Sequence, residues 1–141
     1  ILCIYYNNIH KKAIKNRQNQ NSYERKVNAM AKDDYFVIAY RIMAYLYACL
    51  KAGEQPNFNI IRADALDISK NYWEYIIRHL YEDGYVEGIS LIHMVGRSAA
   101  GIKLNADFMI TPKGIDFLLS NSAMSRAKDF LKTLKETIPG L

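Results

Sequence analysis

The feature that most limits the fold of this chain is a helical segment, residues 35–50, that is apolar on nearly every side. Asp33 or Asp34 can cap its start, Gly53 follows its end, and Arg41 is the one charge in its middle. A helix without a polar face has to be covered on several sides. The segment is shorter than the roughly 20 residues that span a bilayer. We therefore expect the central helix of one compact domain and no membrane association.

A second helix is predicted from Lys70 to about Glu82, with Ser69 as its N-cap and Gly84 at its end. Its apolar residues follow the i, i+3, i+4, i+7 spacing of one buried stripe. They are Trp73, Ile76, Ile77 and Leu80. The remaining side chains of this helix are expected to point outward.

Two β-rich segments follow, residues 85–94 and a run ending at residues 107–110, separated by the loop Gly96 to Gly101. This pattern predicts a β-hairpin, with a bulge where Asn105 and Ala106 interrupt the return strand.

The remaining elements are a connector, residues 55–60, that is extended and can add a short strand, and a short helix over 61–66. Thr111 and Pro112 open a further helix, and a last amphipathic helix begins near Ser122 or Ser125. The order predicts an α+β, mainly α fold: a winged helix, in which a helix-turn-helix carries a β-hairpin wing, plus C-terminal helices. We assign this domain to residues 30–141.

Residues 1–29 differ in composition, with six basic residues against one acidic residue, whereas residues 30–141 have no net charge. We expect a disordered or loosely helical basic extension. One interpretation is that Met30 is the natural start and the extension is translated upstream sequence, not native to the protein. The other is a basic arm that follows nucleic-acid phosphates.

Residues 73–88, the run 109–118 and the amphipathic tail after it resemble the YjcQ-like winged-helix family of bacterial and prophage proteins. The first contains a helix that ends in Gly84-Tyr85-Val86, and the second contains Ile110-Thr111-Pro112 at the entry to the helix after the wing. The resemblance covers about residues 31–138. It implies the winged-helix fold and a prophage-linked setting, and it implies no catalytic residue.

The first functional hypothesis is double-stranded DNA binding by a transcriptional regulator, with the outward face of the second helix in the major groove. Three acidic residues of that helix, Glu74, Glu82 and Asp83, oppose this hypothesis because phosphates repel them. Arg97, at the wing tip, is a candidate for an adjacent phosphate or the minor groove. The candidate contacts on the helix are Ser69, Lys70, Asn71, Tyr72, Tyr75, Arg78 and His79.

The alternative is a non-catalytic protein-interaction adaptor, which suits a neutral domain rich in Tyr. It would use the winged-helix surface or the last helix, whose apolar stripe can also pair two copies in a homodimer. The competing interpretation is that the stripe folds back on the 35–50 helix. The candidate dimer residues are Met124, Phe130, Leu131, Leu134 and Ile138.

We expect neither an enzyme nor a cofactor or metal site. The loop from Gly96 to Lys103 has Ile102 where a phosphate-binding loop requires lysine, and it leads into a strand instead of the required helix. His10, His79 and His93 have no catalytic partner nearby in sequence. Cys3 and Cys49 lie far apart, and neither occurs in a Cys-x-x-Cys motif, so we expect no disulfide framework and a cytoplasmic location.

Overall fold

A computed structural model describes residues 30–96 and 101–137, without the side chains of 135–137. The predictions for residues 1–29, Arg97 and Ile138 lie outside this part. The described elements confirm the α+β, mainly α order with a hairpin. They are α1 (Tyr35–Ala52), a 3-10 helix (Phe58–Ile60), α2 (Lys70–Glu82), β1 (Val86–Ile92), β2 (Gly101–Ile110), α3 (Pro112–Ser120) and α4 (Ser122–Thr137).

The central helix α1 is the core of the domain, as its sequence predicts. It is long and apolar enough to cross a membrane by length and composition, but it contacts α2, α3, α4 and β2. These neighbours account for its apolar surface, because a helix covered on several sides needs no polar stripe. Its buried residues are Val37, Ile38, Ala39, Ile42, Met43, Leu46 and Cys49.

Helix α2 has the predicted start and the predicted buried stripe. The Ser69 hydroxyl accepts a hydrogen bond from the backbone N–H of Tyr72 at 3.2 Å, which satisfies a donor that the helix itself leaves free. The stripe residues are buried, and the Trp73 indole N–H donates to the carbonyl oxygen of Ile61 at 2.7 Å. This hydrogen bond ties α2 to the segment before it.

Two predictions for the segment between α1 and α2 were wrong. The sheet in the described part of the chain contains β1 and β2 only, because Pro56 has no N–H to offer a strand and the backbone N–H of Asn57 donates to the Tyr45 hydroxyl at 2.9 Å. The expected helix over 61–66 is instead a series of hydrogen-bonded turns after the 3-10 helix. Asp67 adopts the left-handed conformation, with φ of 55°, so helical geometry ends there.

The hairpin is antiparallel and contains the predicted bulge. Glu87 pairs with Met109 but Ile89 pairs with Leu104, so β2 carries extra residues around Asn105 and Ala106. Gly88 lies opposite them with φ of 85°, and a Cβ at this position would lie 2.7 Å from the backbone of Asp107. Only glycine fits both the conformation and the close approach.

The C-terminal helices begin at side-chain caps. Thr111 accepts from the N–H of Gly114 at 3.0 Å at the start of α3, and Asn121 accepts from the N–H of Ala123 at 2.9 Å at the start of α4. Helix α4 contacts α1, and Met124 and Ala127 on it are fully buried. The amphipathic stripe of α4 is thus folded back on the core.

Candidate nucleic-acid interface

The outward face of α2 carries five of the predicted contact residues. Lys70, Asn71 and Tyr75 are exposed, and Arg78 and His79 are half-buried. Asn71, Tyr75 and Arg78 follow i, i+4, i+7 spacing, so they lie on one side of the helix. Lys70 lies in the first turn, where a recognition helix comes nearest to the bases.

Two predicted contacts also make hydrogen bonds inside the domain, and DNA contact by them stays a prediction. The Ser69 hydroxyl is the helix cap described above, and the Tyr72 hydroxyl donates to the carbonyl oxygen of Asp33 at 2.7 Å. Burial raises the pKa of Tyr72 above its ordinary value, and the negative charges of Asp33 and Asp34 add to this shift. Tyr72 therefore joins α2 to the residues just before α1.

The acidic residues of α2 also differ from the expectation. Glu74 is 5% exposed, so its carboxylate is withdrawn from the surface. Glu82 and Asp83 are exposed, but they lie at the opposite end of the helix from Lys70. Glu82 approaches the Nδ1 atom of His79 at 4.0 Å. The N-terminal half of the outward face is therefore free of exposed carboxylates.

An aromatic patch, which we define as Tyr35, Phe36, Tyr75 and His79, continues the outward face onto the start of α1. The Tyr75 ring lies 4.2 Å from the His79 ring and 6.4 Å from the Tyr35 ring, between centroids, and Tyr35 contacts Phe36 at 5.2 Å. Tyr75 is 48% exposed and Phe36 is 40% exposed. Burial raises the pKa of Tyr35 to about 12, with a further contribution from the Asp83 carboxylate.

A cleft of about 650 Å³ separates the N-terminal end of α2 from the hairpin. Its wall combines residues of the 3-10 turn, α2 and both strands. Trp73 is almost fully buried there, and Phe58, Ile102 and Leu104 are half-buried. The apolar residues that line it are Phe58, Ala63, Trp73, Ile92, Ile102 and Leu104.

Charged residues border the same cleft, and cations prevail. Arg62, Lys70 and Lys103 line it together with Asp64, and all four are exposed. The close contact between His79 and Glu82 involves none of these three cations and not Arg78. The fold thus brings three cations from distant parts of the sequence to one opening.

The comparisons with known proteins decide the family. The model of the YjcQ protein family matches residues 40–137, more than half of the chain. The chain belongs to the YjcQ protein family. No curated protein and no solved structure matches it.

In this member of the YjcQ family, the hairpin tip is apolar where the structure describes it. Leu91 and Ile92 end β1 with nearly half of their surface exposed, and Met94 and Val95 beyond them are more exposed still. The predicted tip contact Arg97 lies outside the described residues. The described hairpin contributes Lys103 to the cleft that Arg62 and Lys70 also line.

The predicted dimer residues of α4 divide into two groups. Met124 is fully buried and Phe130 is 7% exposed, so both are core residues of the single chain, and their assignment to a dimer surface is corrected. Their burial follows from the packing of α4 on α1. Leu131 and Leu134 are half-buried, and Ile138 lies outside the described residues. A homodimer through α4 remains a prediction that concerns these last three.

Sequence reasoning missed Arg62 and Lys103 because neither has a local signal. Arg62 lies in a turn and Lys103 in a strand, and only the fold places them beside Lys70. The aromatic patch was missed for the same reason, except that Tyr75 and His79 share the i, i+4 spacing. Among the residues that the structure describes, no group of three His, Cys, Asp or Glu side chains could hold a metal ion.

Proposed function

We propose that this YjcQ-family chain binds double-stranded DNA through α2, the cleft and the hairpin, as a transcriptional regulator of a prophage or mobile element. The observation that carries the proposal is the convergence of Arg62, Lys70 and Lys103 on one cleft. A recognition helix enters the major groove, and α2 is the candidate for that role. In this proposal, the sugar-phosphate backbone that borders the groove passes between α2 and the hairpin, next to these three cations.

The outward face of α2 supplies groups that read bases. An Asn amide such as that of Asn71 pairs with adenine, and an Arg guanidinium such as that of Arg78 pairs with guanine. Glu82 lies roughly 18 Å along the helix axis from Lys70, at a rise of about 1.5 Å per residue. Glu82 and Asp83 are therefore distant from the end of the helix that approaches the bases, and Glu74, the third carboxylate that opposed the hypothesis, is buried.

The experiment selects duplexes from a random pool with the full chain and then measures affinity as a function of salt. We expect Arg78→Ala to cost about 1–3 kcal/mol and to relax the preference at one base position. Lys70→Glu should weaken binding to every duplex about tenfold or more, and it should lower the slope of log affinity against log salt by about 1.

The matched control is Lys132→Glu, an equal charge change at an exposed position of α4, which should leave affinity nearly unchanged. The control is needed because residues 1–29 carry the whole net positive charge of the chain and attract phosphates by themselves. Equal affinity of the wild type and Lys70→Glu would assign the binding to those residues and contradict the proposal.

A second candidate, a protein-interaction adaptor, is favoured by the aromatic patch. Exposed aromatic rings are enriched at protein interfaces because they bury large areas at low entropic cost. A photo-crosslinking side chain at Tyr75, compared with one at Leu119, which is 69% exposed on α3, tests this in the native host. A protein that is crosslinked from position 75 and not from position 119 supports the adaptor. Crosslinks from position 75 to nucleic acid, with none to protein, contradict it.

A further inference from the structure

The cleft has an apolar wall that DNA binding leaves unused. Binding of a DNA backbone needs only the cations at the opening. The cavity is also lined by Phe58, Trp73, Ile102 and Leu104. The volume of about 650 Å³ is far larger than one phosphate group requires. It falls within the range, about 300–1,000 Å³, of small-molecule sites, which combine apolar walls with a few polar groups.

We propose that the cleft binds a small organic anion that has an aromatic or alicyclic body and one acidic group. The body lies against Trp73 and the half-buried side chains Ile102 and Leu104, because contact with them removes apolar surface from water. The acidic group stays at the opening, beside the exposed Arg62 and Lys103.

The charge of the cleft selects an anion. Its charged lining residues are three cations and one carboxylate, Asp64, so the local field is positive. A hydrogen bond between a charged donor and a carboxylate is stronger than one between neutral groups. A neutral molecule of the same shape would gain only the apolar contacts.

The wall is formed before any ligand arrives. Trp73 is held by the hydrogen bond from its indole N–H to the Ile61 carbonyl, and Ile102 lies on a strand paired with Leu91. A site whose side chains are already ordered loses less entropy on binding. The cleft is thus suited to a rigid, flat ligand body.

A regulatory consequence rests on the proposed function. The organic anion and the DNA phosphates both use Arg62 and Lys103, so each excludes the other. Because coupling between two ligands is reciprocal, the anion lowers the affinity for duplex by the same factor by which duplex lowers the affinity for the anion.

The first experiment titrates the full chain, without DNA, with 2-naphthoate and separately with its neutral counterpart 2-naphthamide. Trp73 is the single tryptophan of the chain, so its indole N–H gives one NMR signal that reports on the cleft. We expect 2-naphthoate to shift this signal saturably and to bind about tenfold more tightly than 2-naphthamide, since charged hydrogen bonds are the difference. No saturable shift at millimolar probe, or equal affinity for the two probes, overturns the proposal.

The variants locate the acidic group. Lys103→Met should weaken 2-naphthoate about tenfold without changing 2-naphthamide, whereas Lys132→Met, on α4, should change neither. An equal loss in both variants overturns the assignment to the cleft. Both positions are exposed, so the variants keep the fold, which the dispersion of the NMR spectrum verifies.

A second titration adds duplex, and it separates the two proposals. Probe binding without any duplex binding overturns the proposed function and supports the anion site. Duplex binding without probe binding overturns the anion site alone. When both bind, release of the duplex by 2-naphthoate and not by 2-naphthamide supports their exclusion, and simultaneous binding overturns it.

Discussion

The α1–α4 side of the domain and the α2–hairpin side use apolar residues in opposite ways. On the first side, the stripe of α4 is closed against α1, with Met124 and Ala127 at 0% exposure. On the second, the hairpin leaves a cleft beside α2, and Ile92 and Tyr75 keep 44% and 48% of their surface exposed. The first side therefore stabilises the domain, whereas the second leaves apolar surface exposed, as the proposed binding functions require.

The difference matters because α2 and α4 look alike in sequence. Each has apolar residues at helical spacing and charged residues elsewhere, a pattern that does not say whether the stripe covers its own core or another molecule. The decisive fact is which element lies opposite. For α4 that element is α1, whereas the outward face of α2 keeps Tyr75 48% exposed.

The largest expected effect is a loss of stability on the α1–α4 side. Met124→Ala should lower the free energy of unfolding by about 2–5 kcal/mol, because it leaves a cavity between α4 and α1. Lys132→Ala, at an exposed position of the same helix, should change the free energy of unfolding by less than about 0.5 kcal/mol. Urea unfolding measures both. A Met124→Ala variant as stable as Lys132→Ala would mean that α4 is not closed on the core.

The next effect concerns the hairpin bulge on the open side. Gly88→Ala and Gly96→Ala both force alanine into positive φ, 85° and 86°, at about 1–2 kcal/mol each. A Cβ at Gly88 also meets backbone at 2.7 Å, while one at Gly96 meets nothing within 4 Å. Gly88→Ala should therefore be more destabilising by about 1–3 kcal/mol. Equal stability in thermal or urea unfolding would contradict the bulge geometry.

A smaller effect is expected from a substitution on α2 that should change stability but not duplex affinity. Tyr72→Phe removes the hydrogen bond to the Asp33 carbonyl, so it should cost about 1 kcal/mol of stability and leave duplex affinity unchanged. Weakened duplex binding at unchanged stability would place Tyr72 on the contact surface. Urea unfolding and fluorescence anisotropy of labelled duplex give the two readings.

The smallest effect at neutral pH lies in the aromatic patch. Burial raises the pKa of Tyr35 to about 12 from 10.0, so its favourable contribution is complete below pH 10 and is lost as pH rises toward 12. Tyr35→Phe should reduce the loss of stability over that window. Urea unfolding at a series of pH values checks this, with Tyr81→Phe, at an exposed position, as control. An unaltered profile would show that Tyr35 is not desolvated.

Periodicity and capping residues predicted the elements that depend on local signals. The stripe around Trp73, the caps Ser69 and Thr111, and the bulge near Asn105 all lie where the sequence places them. The turns over 61–67 were missed because short helices lack a distinctive period, and Asp67 gives no warning of its left-handed conformation.

The candidate site was less predictable because it is made by tertiary contacts. Glu74 was expected at the surface and is buried, and Tyr72 was expected to face DNA and is bonded to Asp33. Neither outcome follows from helical spacing alone, since both depend on what packs beside α2. The cleft joins residues more than 40 positions apart, from Phe58 to Leu104.

The most direct test of the central claim is an NMR titration of the isotope-labelled full chain with a selected duplex. We predict that amide signals shift at residues 62–64, 70–79 and 101–104, around the cleft and the outward face of α2, and that those of α4 stay in place. Shifts confined to residues 1–29 or to α4 would contradict the account.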